Sequence, residues 1–188
     1  MTVRFGQMWA LALLSAAMYP LNTMATSPYA GEERRVIKAL SDAEVEGYLA
    51  GAGMGFAKAA ELNGYPGPLH VLELEGVLKL RPEQLRATKS LFAEMRAKAQ
   101  ALGSELVAAE RALDALFASQ KVETSALEAT LKTIASLRQT LRQVHLDAHV
   151  KQRPILDEHQ LVLYAKHRGY RSASSSSHSH SHSHSHKH

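Results

Sequence analysis

The chain contains no cysteine among its 188 residues, which excludes a disulfide scaffold, a thiolate metal site and a cysteine nucleophile. Aromatic residues make up only 6% of the chain, and the predominance of leucine and alanine among the apolar residues favours helices. Neither sign of charge prevails strongly, because 22 basic residues stand against 18 acidic ones. The basic residues are spread out and interleaved with glutamate, so no basic stripe indicates nucleic-acid binding.

The apolar run at residues 8–18 is too short to span a bilayer. It follows a single positive charge at Arg4 and precedes Pro20 and the small residues before Ala25, which is the pattern of a secretory signal peptide. The prediction is a signal peptide at residues 1–25 that is cleaved after Ala25. The alternative is a buried hydrophobic helix or an uncleaved anchor. No later segment is apolar enough to cross a membrane, so we expect a periplasmic protein that does not span the membrane after cleavage.

Turn and capping signals divide the rest of the chain. Ser41 and Glu44 have the S-x-x-E spacing of a capping box, which predicts a helix from Asp42 to about Asn63. Four internal glycines weaken this helix, so we expect it to be frayed, kinked or closely approached by another helix. Pro68 suits the first position of the next helix. The predicted regions are an N-terminal linker at residues 26–40, a helical domain at 41–170 and a disordered Ser- and His-rich tail at 171–188.

From Leu85 the apolar residues follow a seven-residue repeat. A repeat held this long predicts a straight helix of about five heptads, beginning at Pro82, that packs at a shallow angle as in a coiled coil. The two core positions hold Leu85, Phe92, Ala99, Leu106 and Leu113, and Thr88, Met95, Leu102, Ala109 and Leu116.

A second long amphipathic helix follows after a short link at residues 119–124. A capping box at Ser125 and Glu128 predicts its start, and Pro154 predicts its end. Short links join antiparallel neighbours, and Asp157 should cap one last helix. The predicted fold is therefore all-α, a long antiparallel helical hairpin with short flanking helices. The stripe expected to face the core consists of Leu127, Leu131, Ile134, Leu137, Leu141, Val144 and Ala148.

Two helix starts carry related sequences, Leu80-Arg81-Pro82-Glu83-Gln84 and Leu156-Asp157-Glu158-His159-Gln160. Both resemble the LTxxQ motif that occurs twice in the Spy/CpxP family of periplasmic helical proteins, to which the CnrX-type heavy-metal sensors and the zinc-resistance-associated proteins are similar. Arg81 replaces the first capping threonine, a change that should cost about 1 kcal/mol, whereas Asp157 caps at least as well as threonine.

The resemblance covers about residues 41–170. It implies a Spy/CpxP-like all-α fold that is often a homodimer with a concave cradle. It also implies one of two roles, either an ATP-independent chaperone that holds unfolded periplasmic proteins or a protein that binds or senses divalent metals. By the same analogy, the partner of a sensor would be a membrane sensor protein. Leu80, Gln84, Leu156 and Gln160 are then the family-motif positions.

His145 and His149 lie four residues apart on the predicted second arm, so their rings project from one helix face and can grip one ion. Two imidazoles need one or two further ligands, and His70 with Glu73 three residues later is the best candidate pair. These four side chains would suit Zn, Ni, Co or Cu(II). The alternative is that His145 forms a hydrogen bond beside the core while His149 is solvated.

Histidines near the C-terminus largely alternate with serine. They would bind divalent ions weakly and with little selectivity, unless the segment is an expression tag. Copper(I) is disfavoured, because only Met54 and Met95 follow the predicted cleavage site and cysteine is absent. The tail ligands are His178, His180, His182, His184, His186 and His188.

The sequence has no G-x-S-x-G elbow, P-loop or H-E-x-x-H motif, so we expect a protein that is not an enzyme. The first functional hypothesis is a periplasmic heavy-metal-binding or metal-responsive protein. The second is a chaperone that cradles unfolded clients on a basic and apolar surface. Both predict a homodimer, because a thin hairpin gains a larger core by association.

Overall fold

A computed structural model describes residues 27–170, and within that range the chain forms helices and turns without a β-strand. The all-α prediction is therefore confirmed, while the homodimer stays a prediction. The predicted signal peptide and the Ser- and His-rich tail lie outside the described residues. None of the helices within this range is both long and apolar enough to cross a membrane. The α-helices are α1 (Asp42–Ala50), α2 (Lys58–Glu61), α3 (Pro68–Glu73), α4 (Glu75–Leu78), α5 (Pro82–Ala118), α6 (Thr124–Gln152) and α7 (Glu158–His167), and 3-10 turns lie at Glu32–Arg34 and Arg153–Ile155.

Helices α5 and α6 form the predicted antiparallel hairpin, joined by residues 119–123. Near its base, Gln152 donates from Nε2 to Thr88 Oγ1 at 3.2 Å. Farther toward the tip, Arg138 donates to the buried carboxylate of Glu110 at 2.7 Å. From the first contact to the second, the residue number rises along α5 from 88 to 110 and falls along α6 from 152 to 138. The two helices are therefore antiparallel.

The heptad repeat of α5 faces the core as predicted, since all ten positions are at least partly buried. Two predictions for α6 are wrong. Leu131 is 47% exposed, whereas Leu127 and Ile134 of the same predicted stripe are at least partly buried, so the face that α6 turns to α5 excludes Leu131. The capping box at Ser125 and Glu128 does not form, because α6 already begins at Thr124 and Ser125 lies inside its first turn.

Helix α1 begins at the predicted capping box of Ser41 and Glu44 but ends at Ala50, well before Asn63. Gly51 ends it with a left-handed backbone, φ 66°. A Cβ at Gly51 would lie 2.9 Å from the carbonyl oxygen of Arg96, so the end of α1 approaches the α5 backbone directly. The glycines therefore both break the predicted helix and permit a close approach.

Two clusters of buried apolar side chains hold the fold together. The segment expected to be a linker contributes two residues to the first cluster. The first comprises Ile37, Leu40, Tyr48, Ala99, Leu106, Val107, Ile134 and Leu141. The second comprises Val71, Leu78, Leu156 and Tyr164, with Leu80 packed against it.

The two copies of the sequence motif meet in the interior. Gln84 and Gln160 are buried, and the Nε2 of each donates to the Oε1 of the other, at 2.8 and 3.0 Å. Each Oε1 also accepts the backbone N–H at its own helix start, from Arg81 and Asp157. Both amides additionally donate to backbone carbonyls. The motif glutamines thus join the start of α5 to the start of α7 without leaving their own oxygens unpaired.

Candidate metal centre

A cavity of about 560 Å³ lies beside the C-terminal half of α6. The turn after α1 and the start of α3 form part of its wall, and α5 and α6 supply the rest. Its lining consists of residues 50–55, residues 67–70, Phe92, Met95 and Arg96 from α5, and His145, Ala148 and His149 from α6.

His145 is the deepest candidate ligand, with only 4% of its surface exposed. Its ring stacks on Phe56, with centroids 5.7 Å apart. Within the described residues its Nε2 is buried without a hydrogen-bond partner. Burial, and secondarily the neighbouring His149, lower the pKa of His145 below its ordinary value. The ring is therefore neutral at pH 7, which is the form that binds metals.

His149 is oriented by the loop before α3. Its Nδ1 lies 2.7 Å from the carbonyl oxygen of Tyr65, and because a carbonyl can only accept, Nδ1 carries the proton. The lone pair then lies on Nε2, the atom available to a ligand. Both Nε2 and Cε1 would lie 2.9 Å from a Cβ placed on Gly67, so the ring occupies space that only glycine leaves free.

His70 reaches the same cavity from α3. Its Nδ1 lies 2.9 Å from Glu73 Oε2, which is the hydrogen bond expected from the predicted spacing of three residues. Glu73 is exposed and is not part of the cavity lining. This carboxylate therefore orients the His70 ring, in the way that carboxylates support metal-binding histidines from outside the ligand shell.

The structure brings the three predicted histidines to one cavity, although their sequence separation gives no reason to expect it. Within residues 27–170, however, no group of three or more histidine, aspartate or glutamate side chains stands close enough together to hold an ion. Imidazole nitrogens suit a transition metal. The Nε2 of His145 is the buried nitrogen of this set that has no hydrogen-bond partner in the described part of the chain.

Glu61 supports this region and was not among the residues singled out from the sequence. Its Oε2 accepts the backbone N–H of Gly67 at 3.1 Å and lies 3.6 Å from Nδ1 of His149. Its Oε1 accepts the hydroxyls of Tyr164 at 2.5 Å and Tyr170 at 3.1 Å. Burial and the hydrogen bond to Glu61 raise the pKa of Tyr164 well above its ordinary value, so this hydroxyl keeps its proton and donates. Glu61 thereby ties the last helix to the loop that orients His149.

Sequence reasoning also missed Met54, Met95 and Arg96 as parts of the cavity wall. The signal for Glu61 is weak, because its hydroxyl partners lie more than 100 residues away in the chain. The methionines carry a stronger signal, since they are the only two in residues 27–170. No aspartate or glutamate belongs to the described lining, and Arg96 brings a positive charge to the cavity.

A family model described as heavy-metal resistance matches residues 48–162, which include all three cavity histidines and both motif glutamines. No curated protein and no solved structure gives a significant match.

Proposed function

The chain belongs to the heavy-metal resistance family, and from this we propose that it binds a heavy-metal ion in the cavity beside α6, as an exported binding protein rather than a catalyst. The observation that carries the proposal is the arrival of His70, His145 and His149 at one cavity, with Nε2 of His145 buried and unpaired. A buried polar atom without a partner costs about 1–3 kcal/mol, so an ion at this atom would relieve a cost that the fold otherwise bears.

In this proposal the two α6 rings bind first, because Tyr65 already fixes the tautomer of His149 and burial keeps His145 neutral. His70 follows from α3, with Glu73 orienting its ring from outside. A bound ion would favour the neutral form of each imidazole, because only a deprotonated ring nitrogen binds a metal. Binding would therefore release protons from any imidazole that is still charged. The divalent ions predicted from the sequence, namely Zn, Ni, Co and Cu(II), are the first to test.

The test is a titration of the exported chain in a variant whose six tail histidines are replaced by serine. We expect micromolar binding of at least one of the four divalent ions, and its loss in the His145→Ala, His149→Ala double variant. The matched control is the His159→Ala, His167→Ala double variant, which removes two exposed histidines from α7 and should bind normally. Absence of binding above buffer in the tail variant would refute the proposal for these ions.

A metal-responsive role would require a partner that distinguishes the loaded from the empty protein. We propose a periplasmic location and a homodimer for this role, on the grounds given by the sequence. Sedimentation of the purified protein with and without metal would test the assembly. Fractionation of cells would test the location.

Holding of unfolded clients is a second candidate function. Its support is that half of the exposed large apolar side chains in residues 27–170 fall between Leu49 and Val77, among them Leu62 and Leu69. Exposed apolar side chains of this kind can bind the apolar segments of unfolded chains. Suppression of aggregation by the purified protein in the presence of a chelator would favour this function. Inactivity at several-fold molar excess would remove it.

A further inference from the structure

We propose that the cavity selects a soft monovalent cation, Cu(I) or Ag(I), which it holds through the imidazoles of His145 and His149 and the thioethers of Met54 and Met95. This inference rests on the proposed function and narrows the ion that the same cavity takes. It reverses the expectation from the sequence, which counted two methionines as too few for copper(I).

The position of the methionines is the first observation behind this inference. Four of the six methionines of the chain lie in residues 1–24, and the other two both belong to the cavity wall. Thioether sulfur is a soft ligand that prefers Cu(I), whereas imidazole accepts both soft and borderline ions. Two thioethers and two imidazoles that line one cavity would therefore suit a soft ion better than Zn or Ni, if an ion brings them together.

The two sulfurs come from different elements. Met95 projects from α5 and is only 8% exposed. Met54 lies in the turn after α1 with φ 42°, a conformation that non-glycine residues rarely adopt. Its sulfur packs over Gly47, where a Cβ would lie 2.9 Å from Sδ. Backbone conformations of this kind cluster at functional positions, and the Met54 side chain also belongs to the cavity wall.

Charge supplies the second observation. The described lining contains no carboxylate, while Arg96 contributes a positive charge. The carboxylate of Glu61 lies outside the wall, with Oε2 3.6 Å from Nδ1 of His149, so an ion in this cavity has one negative charge nearby and no carboxylate ligand in the described wall. The cost of transferring an ion out of water rises with the square of the ionic charge. A monovalent ion thus meets about a quarter of the desolvation cost that a divalent ion of equal size would meet.

The test uses Ag(I), which needs no reducing agent. The protein is the chain as it is recovered after export, through to the C-terminus, with serine in place of the six tail histidines. Mass spectrometry first defines the N-terminus, so that methionines of residues 1–24 are accounted for. We expect Met95→Leu and Met54→Leu each to weaken Ag(I) binding by about tenfold or more, while Ni and Zn binding changes less than about twofold. Leucine conserves the volume of methionine, so the fold is retained.

A matched pair of variants tests the gain of a sulfur. Leu69 belongs to the cavity wall and is 43% exposed, whereas Leu62 is 58% exposed and lies outside the wall. We expect Leu69→Met to strengthen Ag(I) binding and Leu62→Met to leave it unchanged. Equal effects of the two substitutions would contradict a cavity-specific role for sulfur.

The outcomes separate this inference from the proposed function. Divalent binding that depends on His145 and His149, together with Ag(I) binding that ignores both methionines, would overturn the inference and leave the proposed function standing. If no ion binds, both are refuted. Ag(I) binding that depends on the two histidines and both methionines supports both.

Discussion

Backbone atoms of the loop before α3 determine the position of the His149 ring. The carbonyl of Tyr65 sets the tautomer, and the bare Cα of Gly67 leaves the room that the ring fills. A substitution at Gly67 therefore shifts the ring of His149 without removing any proposed ligand.

We expect Gly67→Ala to weaken metal binding by about ten- to a hundredfold, as other changes just outside a ligand shell do. The new methyl would lie 2.9 Å from two ring atoms of His149 and must displace them. Isothermal titration gives the affinity. Gly76→Ala is the matched control, because a Cβ at Gly76 meets nothing within 4 Å, and it should bind metal normally.

The buried ring of His145 makes stability depend on pH. Its pKa is lowered from the ordinary 6.5 by burial and by His149, so the unfolded chain takes up a proton at a higher pH than the folded one. The contribution of a neutral His145 is complete above about pH 6.5 and declines as the pH falls below it.

We therefore expect the free energy of unfolding to fall between pH 7 and pH 5, and to fall less steeply in His145→Leu. Urea denaturation at a series of pH values in the presence of chelator measures both slopes. His159→Ala should retain the steeper slope, because His159 is exposed. Identical slopes for the wild type and His145→Leu would exclude this origin.

The residue scale also shows where sequence reasoning stops. The shared face of His145 and His149 follows from the helical period and could be predicted. The contact of His149 with Tyr65 could not, because it spans 84 residues and depends on the path of an irregular loop. That Met54 and Met95 belong to one cavity wall could not be predicted either, because Met54 lies in an irregular turn.

At the scale of elements, the contact between α1 and α5 depends on Gly103. A Cβ at this position would lie only 2.1 Å from the carbonyl oxygen of Tyr48, so the backbones of the two helices touch. Alanine ordinarily stabilises a helix relative to glycine by about 1 kcal/mol. At Gly103, however, the added Cβ would clash with the Tyr48 carbonyl and push α1 away from α5.

We expect Gly103→Ala to lower the free energy of unfolding by about 1–3 kcal/mol, the usual cost of an overpacked core. Equilibrium denaturation in urea measures this. Gly53→Ala serves for comparison, since a Cβ at Gly53 meets nothing within 4 Å and should leave stability almost unchanged. A stabilised Gly103→Ala would mean that helix propensity outweighs the contact.

The reciprocal glutamine pair joins α5 to α7 and gives a second test at this scale. We expect Gln84→Ala to lower the free energy of unfolding by about 1–3 kcal/mol, because the buried amide of Gln160 loses its hydrogen bonds to Gln84. The double variant with Gln160→Ala should cost less than the sum of the two single changes, which a double-mutant cycle would show. Gln139→Ala breaks an exposed glutamine pair on α6 and should have little effect.

Elements were predictable where the local signal and the tertiary environment agree. Ser41, Pro68 and Asp157 start their helices as the sequence predicts, and Pro82 begins the longest one. The end of α1 after Ala50 was predicted only in part. The glycines indicate low helix propensity, but the packing of Gly51 against α5 determines where the helix ends. The start of α6 was misplaced, because the hairpin link sets it rather than a cap.

At the scale of the whole molecule, the cavity histidines come from α3 and α6, two helices that are far apart in the chain. An ion bound between α3 and α6 as proposed would stabilise the folded state alone, since the unfolded chain does not hold these rings together. The effect should therefore reach the global unfolding transition.

We expect an ion at a hundred times its dissociation constant to raise the free energy of unfolding by about 2.7 kcal/mol. Thermal denaturation of the variant with serine in the tail, with and without the ion, measures the rise. The rise should disappear in His145→Ala, His149→Ala. A rise that persists there would locate the binding elsewhere.

The glutamine pair has a consequence for how the chain acquires its structure. Gln84 finds its partner 76 residues later, near the end of the described fold. Contacts between residues this far apart in the chain are slow to form, because a long loop has to close first, so the start of α7 should dock on the start of α5 late in folding. A chain that ends before Gln160 would leave the buried amide of Gln84 without this partner, and the exposed base of α5 would cost the shortened protein stability.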